Sequence, residues 1–146
     1  MDFGQYIKFA NKHPLCAVAT VDNDQPHVRR FGMWFADTNG FYFSTGKMKE
    51  VYRQLSMNPK VELSFYAPPE TPAGQGSSVD IGTEMRVTGT AEFIDDPAMK
   101  DRLLTDRPFL RPIADNVAIV HVKDGEAWLW TWENNMREST IERARF

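Results

Sequence analysis

Apolar positions along the chain change their period several times, and each change marks an element. Phe3, Tyr6, Ile7 and Ala10 recur at helical spacing behind Asp2, which suits a helix cap, so a short amphipathic helix is predicted to end before Pro14. Leu15 to Val21 has strand character, and Asp22-Asn23-Asp24 turns it into a long run from Gln25 to Ala36. Asp37-Thr38-Asn39-Gly40 is a second turn, leading to a strand from Phe41 to Ser44. Strands joined by such short Asn/Asp/Gly connections predict an antiparallel meander.

Helical spacing returns after Thr45-Gly46. Met48, Val51, Tyr52 and Leu55 share one face, and Asn58-Pro59 stops the helix. Val61 to Tyr66 is a strand. Ala67 to Gly82 holds three prolines and three glycines, and so long a connection has three open readings: a lid, a dimer arm or a plain insertion. Glu84 to Ile94 alternates like a half-buried strand, with Gly89 marking a bulge or a close approach. Asp96 as cap and Pro97 at the first helical position open a helix through Leu104, and capping explains Asp95 and Asp96 better than catalysis does. Two last strands, Val117 to Val122 and Ala127 to Thr131, flank a Lys123-Asp124-Gly125-Glu126 turn. The tail 133–146 is polar with sparse apolar residues, a segment expected to fray unless a partner holds it. The pattern predicts a mainly β, α+β fold: one domain over 1–146, with antiparallel strands in a closed or nearly closed barrel and a few short helices flanking it.

Composition changes this picture little. Hydrophobic residues at 42% and charged residues at 25% suit a folded soluble domain. A net charge of −3, with lysines and arginines scattered, gives no basic stripe, so nucleic acid is not an expected partner. No apolar run nears the roughly 20 residues needed to cross a bilayer, and the N-terminal stretch lacks a secretory character, so no membrane partner and a cytoplasmic location are expected. The single cysteine, Cys16, excludes an internal disulfide and lies in LCAVATV, where a thiol is core filler.

Candidate chemistry concentrates in FYFSTGKMKEVYRQL, residues 41–55. A strand delivers Ser44, Thr45 and Gly46 to a helix start whose first turn is predicted to carry Lys47 and Lys49. Free N–H groups and the helix dipole there favour an anion, and hydroxyl and ammonium groups complete a phosphate cradle. The same residues also suit an ordinary solvated helix start. Upstream, His27, Arg29 and Phe31 fall on one side of their strand, with Val28 and Arg30 on the other. One arginine therefore faces the barrel, where it needs an anionic or carbonyl partner, or else a salt bridge at a subunit interface. His13, His27 and His121 show no paired metal-ligand spacing, so no metal is expected. No hydrolase elbow, Walker loop or dinucleotide fingerprint is present. Trp128, Trp130 and Trp132 alternate along one strand face, a stripe that suits a core or a dimer interface better than a cofactor platform.

Taken together, QPHVRRF, FYFSTGKMK, NPKVELSFY and MRVTGTAEF followed by DDP give the chain a pattern that resembles the FMN-binding split-barrel family, the pyridoxamine 5′-phosphate oxidase-like proteins, from about Tyr6 to Thr131. The resemblance implies a six-stranded antiparallel split barrel, a homodimer with flavin at the subunit interface, and FMN as cofactor. By position, Arg29 matches the family's flavin-reaching strand arginine, with Arg30 and Phe31 beside it. Ser44 and Thr45 match the strand-end pair lining the cofactor and Lys49, with nearby Lys47, the phosphate lysine, whereas at the cofactor position where the family has a flavin-contacting glutamine this chain departs and has Glu84. Departures point away from vitamin B6. Trp128-Leu129-Trp130 stands where true pyridoxamine phosphate oxidases carry Arg-x-His, and Trp34 stands for a second-strand lysine. The expected function is an FMN flavoprotein, an oxidoreductase on a small substrate for which Trp34 and Trp130 favour a flat aromatic or quinone-like shape; no side chain is assigned as catalytic. The alternatives are a flavin storage module and a barrel using deazaflavin or haem.

Overall fold

Residue 2 opens the described chain: the computed structural model describes residues 2–70 and 81–146. Helix α1, Phe3–Lys12, starts as its sequence predicts. The Asp2 carboxylate accepts from the Gln5 N–H at 3.1 Å, while the Gln5 side chain accepts from the Asp2 N–H at 3.0 Å, a reciprocal capping box. Strands β1 (Leu15–Asp22) and β2 (Gln25–Gly32) form a hairpin across Asn23 and Asp24, whose φ values of 44° and 66° are the left-handed pair such a tight turn requires. The run expected to reach Ala36 breaks at Met33 and Trp34 and resumes as the short β3, Phe35–Asp37. Then follow β4 (Gly40–Gly46), α2 (Glu50–Met57), β5 (Lys60–Ala67), β6 (Thr83–Ile94), α3 (Pro97–Asp106), a 3-10 segment (Pro108–Asn116), β7 (Val117–Trp130), a second 3-10 segment (Asn135–Thr140) and β8 (Ala144–Arg145). The long Pro/Gly connection falls mostly on 71–80, outside the described residues.

All pairings are antiparallel, in the order β2-β1-β5-β6-β7-β4-β3, with β8 on β7. Eight strands replace the expected six: six are long, and the additions are the three-residue β3 and the two-residue β8. The sheet curls, because the inner faces of β1, β4, β5, β6 and β7 share one core that includes Cys16, Phe41, Phe65, Met85 and Val122. Helices α1 and α2 close that core with Tyr6, Ala10, Val51 and Leu55. A second cluster lies outside, where Leu103 of α3 meets Val117 and Ile119 of β7, flanked by Trp34 and Leu110.

One expected turn is instead a bulge. Lys123 to Glu126 does not separate two strands; β7 runs through it, and the register to β6 slips between Thr88 and Thr90. Two β7 residues, Asp124 and Gly125, face the single Gly89, and the chain approaches so closely that a Cβ on Gly125 would sit 1.7 Å from the Thr88 carbonyl oxygen. The extra residue switches the inward parity. Val120 and Val122 fill the barrel before it, Ala127 and Leu129 after it. The tryptophan stripe consequently lies on the outer face, outside the barrel core.

The tail is ordered by that outer face rather than frayed. β8 pairs with Glu126 and Ala127, the Arg143 guanidinium lies 4.0 Å over the Trp128 ring, and Phe146 stacks on Phe3 at 4.7 Å. Of its few apolar residues, Ala144 and Phe146 pack against the core, while Met136 is exposed.

Candidate functional site

Strand β4 ends at the open side of the barrel, and its alternation decides which side chains turn inward. Phe41, Phe43 and Thr45 face the core, whereas Ser44 pairs with Ile119 on the outer side. Thr45 is 6% exposed, and its Oγ1 has no hydrogen-bond partner among the described residues. A buried hydroxyl left unsatisfied costs about 1–3 kcal/mol, so a water or a ligand atom that reaches it is favoured. The cavity it touches, walled by Phe31, Phe43, Val51 and Leu63, has room for roughly one water, about 20 Å³. That space is too small for any cofactor ring.

Beyond Gly46 the chain turns before it becomes helical. Lys49 is the cap of α2, in extended conformation (φ −84°, ψ 150°), so Lys47, Met48 and Lys49 precede the helix instead of occupying its first turn, and Met48 is 67% exposed. This places Lys49 over the Phe31 ring, 5.1 Å from its centre. Lys47 turns to the other side of the strand end, into a cleft of about 580 Å³ that it shares with Tyr52, Asp95, Lys100 and Asp115. That volume is in the range of small-molecule sites. Neither lysine forms an ion pair among the described residues. The one acidic residue of the first helical turn, Glu50, is drawn away to Arg53 at 2.6 Å, which leaves the positive helix end open to an anion.

Arg29 settles the question posed by the Arg29-Arg30 pair. It points inward, where Nη1 donates to the Val18 carbonyl at 3.2 Å and to Thr20 Oγ1 at 2.8 Å, and Nη2 donates to Gln54 Oε1. Its partners are oxygen acceptors of the same chain, and burial holds its pKa below the usual guanidinium value. Nε and the second Nη2 hydrogen make no hydrogen bond among the described residues, so the group retains donors for a ligand. Arg30 is exposed on the outer face opposite Ala17.

The fold thus sets Phe31 and Thr45 on one cavity wall beneath α2, Lys49 over the Phe31 ring, and Arg29 against Gln54 of the same helix. It does not bring the other candidates there within one chain. Glu84 lies on the outer face of β5–β6, accepting from Ser64 Oγ at 2.6 Å and from Arg86 at 3.2 Å. Trp34 donates its Nε1–H to Asp106 at 2.8 Å and carries Arg102 over its ring at 5.4 Å. Trp130 sits under Arg86 at 5.7 Å with a buried, unpartnered Nε1. Among the described residues no group of three His, Cys, Asp or Glu side chains could hold a metal ion. Thr20 and Gln54, buried at 1% and 2% exposure, are the residues that sequence reasoning missed. The only local signal was a glutamine beside Val51 and Leu55 on the apolar face of α2.

A curled antiparallel sheet with short flanking helices and a cation-rich strand-to-helix junction defines the split-barrel class. The family model for pyridoxamine 5′-phosphate oxidase matches residues 4–130, and the chain belongs to that family. Among solved structures it is similar to a NimC/NimA family protein from Clostridium acetobutylicum, with 23% identity, a TM-score of 0.70, and coverage of 96% of this chain and 89% of that one. It is also similar to HutZ, the haem storage protein of Vibrio cholerae (16% identity, TM-score 0.61, 90% and 95% covered). A third similar structure is PhzG from Burkholderia lata in complex with tetrahydrophenazine-1-carboxylic acid (15% identity, TM-score 0.65, 88% and 77% covered). No curated protein sequence gives a significant match.

Proposed function

We propose that the protein is an FMN-binding flavoprotein that works as a homodimer and acts as an oxidoreductase on a small, flat, aromatic or quinone-like substrate. The observation that carries the reading is Lys49, which forms no ion pair among the described residues, standing over Phe31 at the open start of α2, with Thr45 at the strand end before it. These groups fit a phosphate: Lys49 supplies charge, Thr45 a hydroxyl and Arg29 spare N–H donors, while Lys47 lies on the other side of the strand end. When bound, the flavin supplies two-electron redox chemistry, and the protein's share is to hold and orient it.

Oxidation of a phosphorylated pyridine is the less supported activity. Trp34, where a cation would serve such a substrate, is packed against Leu103 and Ile119 and bonded to Asp106. The outer-face tryptophans stand in place of a cationic motif. Support for a flat aromatic substrate comes from the fold neighbourhood, since PhzG is crystallised with a ring-fused acid. HutZ raises haem as a ligand of this barrel. Flavin is the better fit here, because the gathered groups are phosphate donors, while His121 Nε2 is already bonded to the Asn39 carbonyl at 2.7 Å. Absence of a membrane-length apolar helix among the described residues is compatible with the proposed cytoplasmic location.

The enzyme reading is tested with protein reconstituted with FMN, photoreduced, and mixed anaerobically with a small quinone. Reoxidation of the visible flavin band faster than for free FMN supports an oxidoreductase. Reoxidation no faster than free FMN rejects it in favour of a storage module.

A further inference from the structure

Gln54 is a primary amide buried to 2% exposure on a helix face otherwise given to Val51 and Leu55. Its Oε1 accepts from the Thr20 hydroxyl at 2.6 Å and from Arg29 Nη2. The Thr20 oxygen in turn accepts from Arg29 Nη1 at 2.8 Å. A guanidinium only donates, so these three contacts have one consistent proton arrangement: Arg29 gives to both partners, and Thr20 passes its proton to Gln54. The result is a closed ring joining β1, β2 and α2.

We infer that Gln54 is a positioning residue that holds Arg29 for the phosphate end of the cofactor, so that the Thr20–Arg29–Gln54 ring sets the preference for phosphorylated flavin over riboflavin. This rests on the flavin reading above. Gln54 and Lys49 are carried by the same helical segment, and Arg29 and Phe31 lie on the same inward side of β2, with Phe31 under the Lys49 ammonium. The ring therefore links the arginine to the lysine through two rigid elements. A free arginine side chain loses rotamer freedom when it grips an anion; one already pinned has lost it on folding, and its remaining donors meet the phosphate preorganised. Riboflavin has no phosphate, so it gains nothing from this arrangement.

The test is a set of fluorescence-quenching titrations of the full chain with FMN and with riboflavin. Gln54→Met keeps the volume and removes the acceptor. It is expected to weaken FMN about tenfold, the size of a lost charge-assisted bond, and riboflavin hardly at all. Gln54→Glu retains an acceptor and so protects the fold, but its carboxylate neutralises Arg29 and is expected to give the same selective loss. In an Arg29→Lys background, Gln54→Met should add no further loss, because its effect passes through Arg29. Equal losses for both ligands, no loss, or additive effects in the double variant overturn the inference and leave Gln54 a packing residue. If the wild type does not prefer FMN, or Lys49→Ala leaves FMN affinity unchanged, the flavin reading falls and this inference with it. If Lys49→Ala loses FMN while Gln54→Met does not, this inference falls alone.

Discussion

Thr45 carries opposite consequences for stability and for binding. Its hydroxyl has no partner among the described residues, so replacing it with valine removes an unsatisfied polar atom at nearly constant shape. Thr45→Val is expected to leave the thermal midpoint of the ligand-free protein unchanged or raised, by up to about 1 kcal/mol of stability, while weakening FMN binding. Calorimetry and a flavin titration on the same sample check both halves; a clear loss of stability would show that the hydroxyl is structural. Cys16 is the contrasting case. Burial pushes its thiol up to about 12, outweighing the opposing effect of Arg30, so almost none is thiolate at neutral pH. It should resist disulfide reagents at pH 8 until the chain unfolds, and prompt reaction of native protein would contradict the packed core. Both residues were legible in the sequence, Thr45 as the last residue before a glycine turn and Cys16 from its apolar neighbours. Gln54 and Thr20 were not, because their roles come from a contact between residues 34 apart in sequence.

Among the elements, hairpins and helix starts were read correctly where the signal is local: the Asp2 cap, the Asn23-Asp24 turn, the Asp96 cap. The start of α2 was placed too early, since two lysines in a turn leave the same imprint as two lysines in a first helical turn. The β7 bulge misled for a related reason. Lys-Asp-Gly-Glu has the composition of a hairpin turn, and only pairing with Thr88 and Gly89 reveals that the strand continues. At Gly125 a methyl group would meet the Thr88 carbonyl, and backbone cannot be displaced there without breaking the β6–β7 ladder. Gly125→Ala should cost at least about 2 kcal/mol, a fall of several degrees in thermal midpoint, whereas alanine at Gly32, where no atom lies within 4 Å of the new Cβ, should have little effect. Comparable melting curves for the two variants would contradict the bulge. The tail adds a further case: Phe146 stacks on Phe3 and meets Phe41 edge-on at 5.3 Å, so Phe146→Ala should destabilise by about 1–3 kcal/mol, measured by urea titration.

For the whole molecule, the barrel explains how a short strand-to-helix junction could serve as the proposed cofactor site. Curling of the sheet brings Phe31 of β2 and Thr45 of β4, far apart in strand order, to one cavity under α2, whose Gln54 also holds Arg29 of β2. The fold class was legible from strand spacing and turn residues, and its six long strands match what the family pattern implies. Arg30 and Glu84, read with the same pattern, lie on the outer face, which period-two alternation and the β5–β6 register dictate once the barrel is formed. The central claim is that Thr45 and Lys49 build a phosphate cradle for FMN. It is tested most directly by the visible absorption spectrum of purified protein after FMN has been added and the excess removed, run beside Lys49→Ala. A flavin spectrum is expected to be retained in the wild type and lost in Lys49→Ala, although that variant remains folded. Folded wild-type protein that retains no flavin, or a Lys49→Ala spectrum equal to wild type, would contradict it.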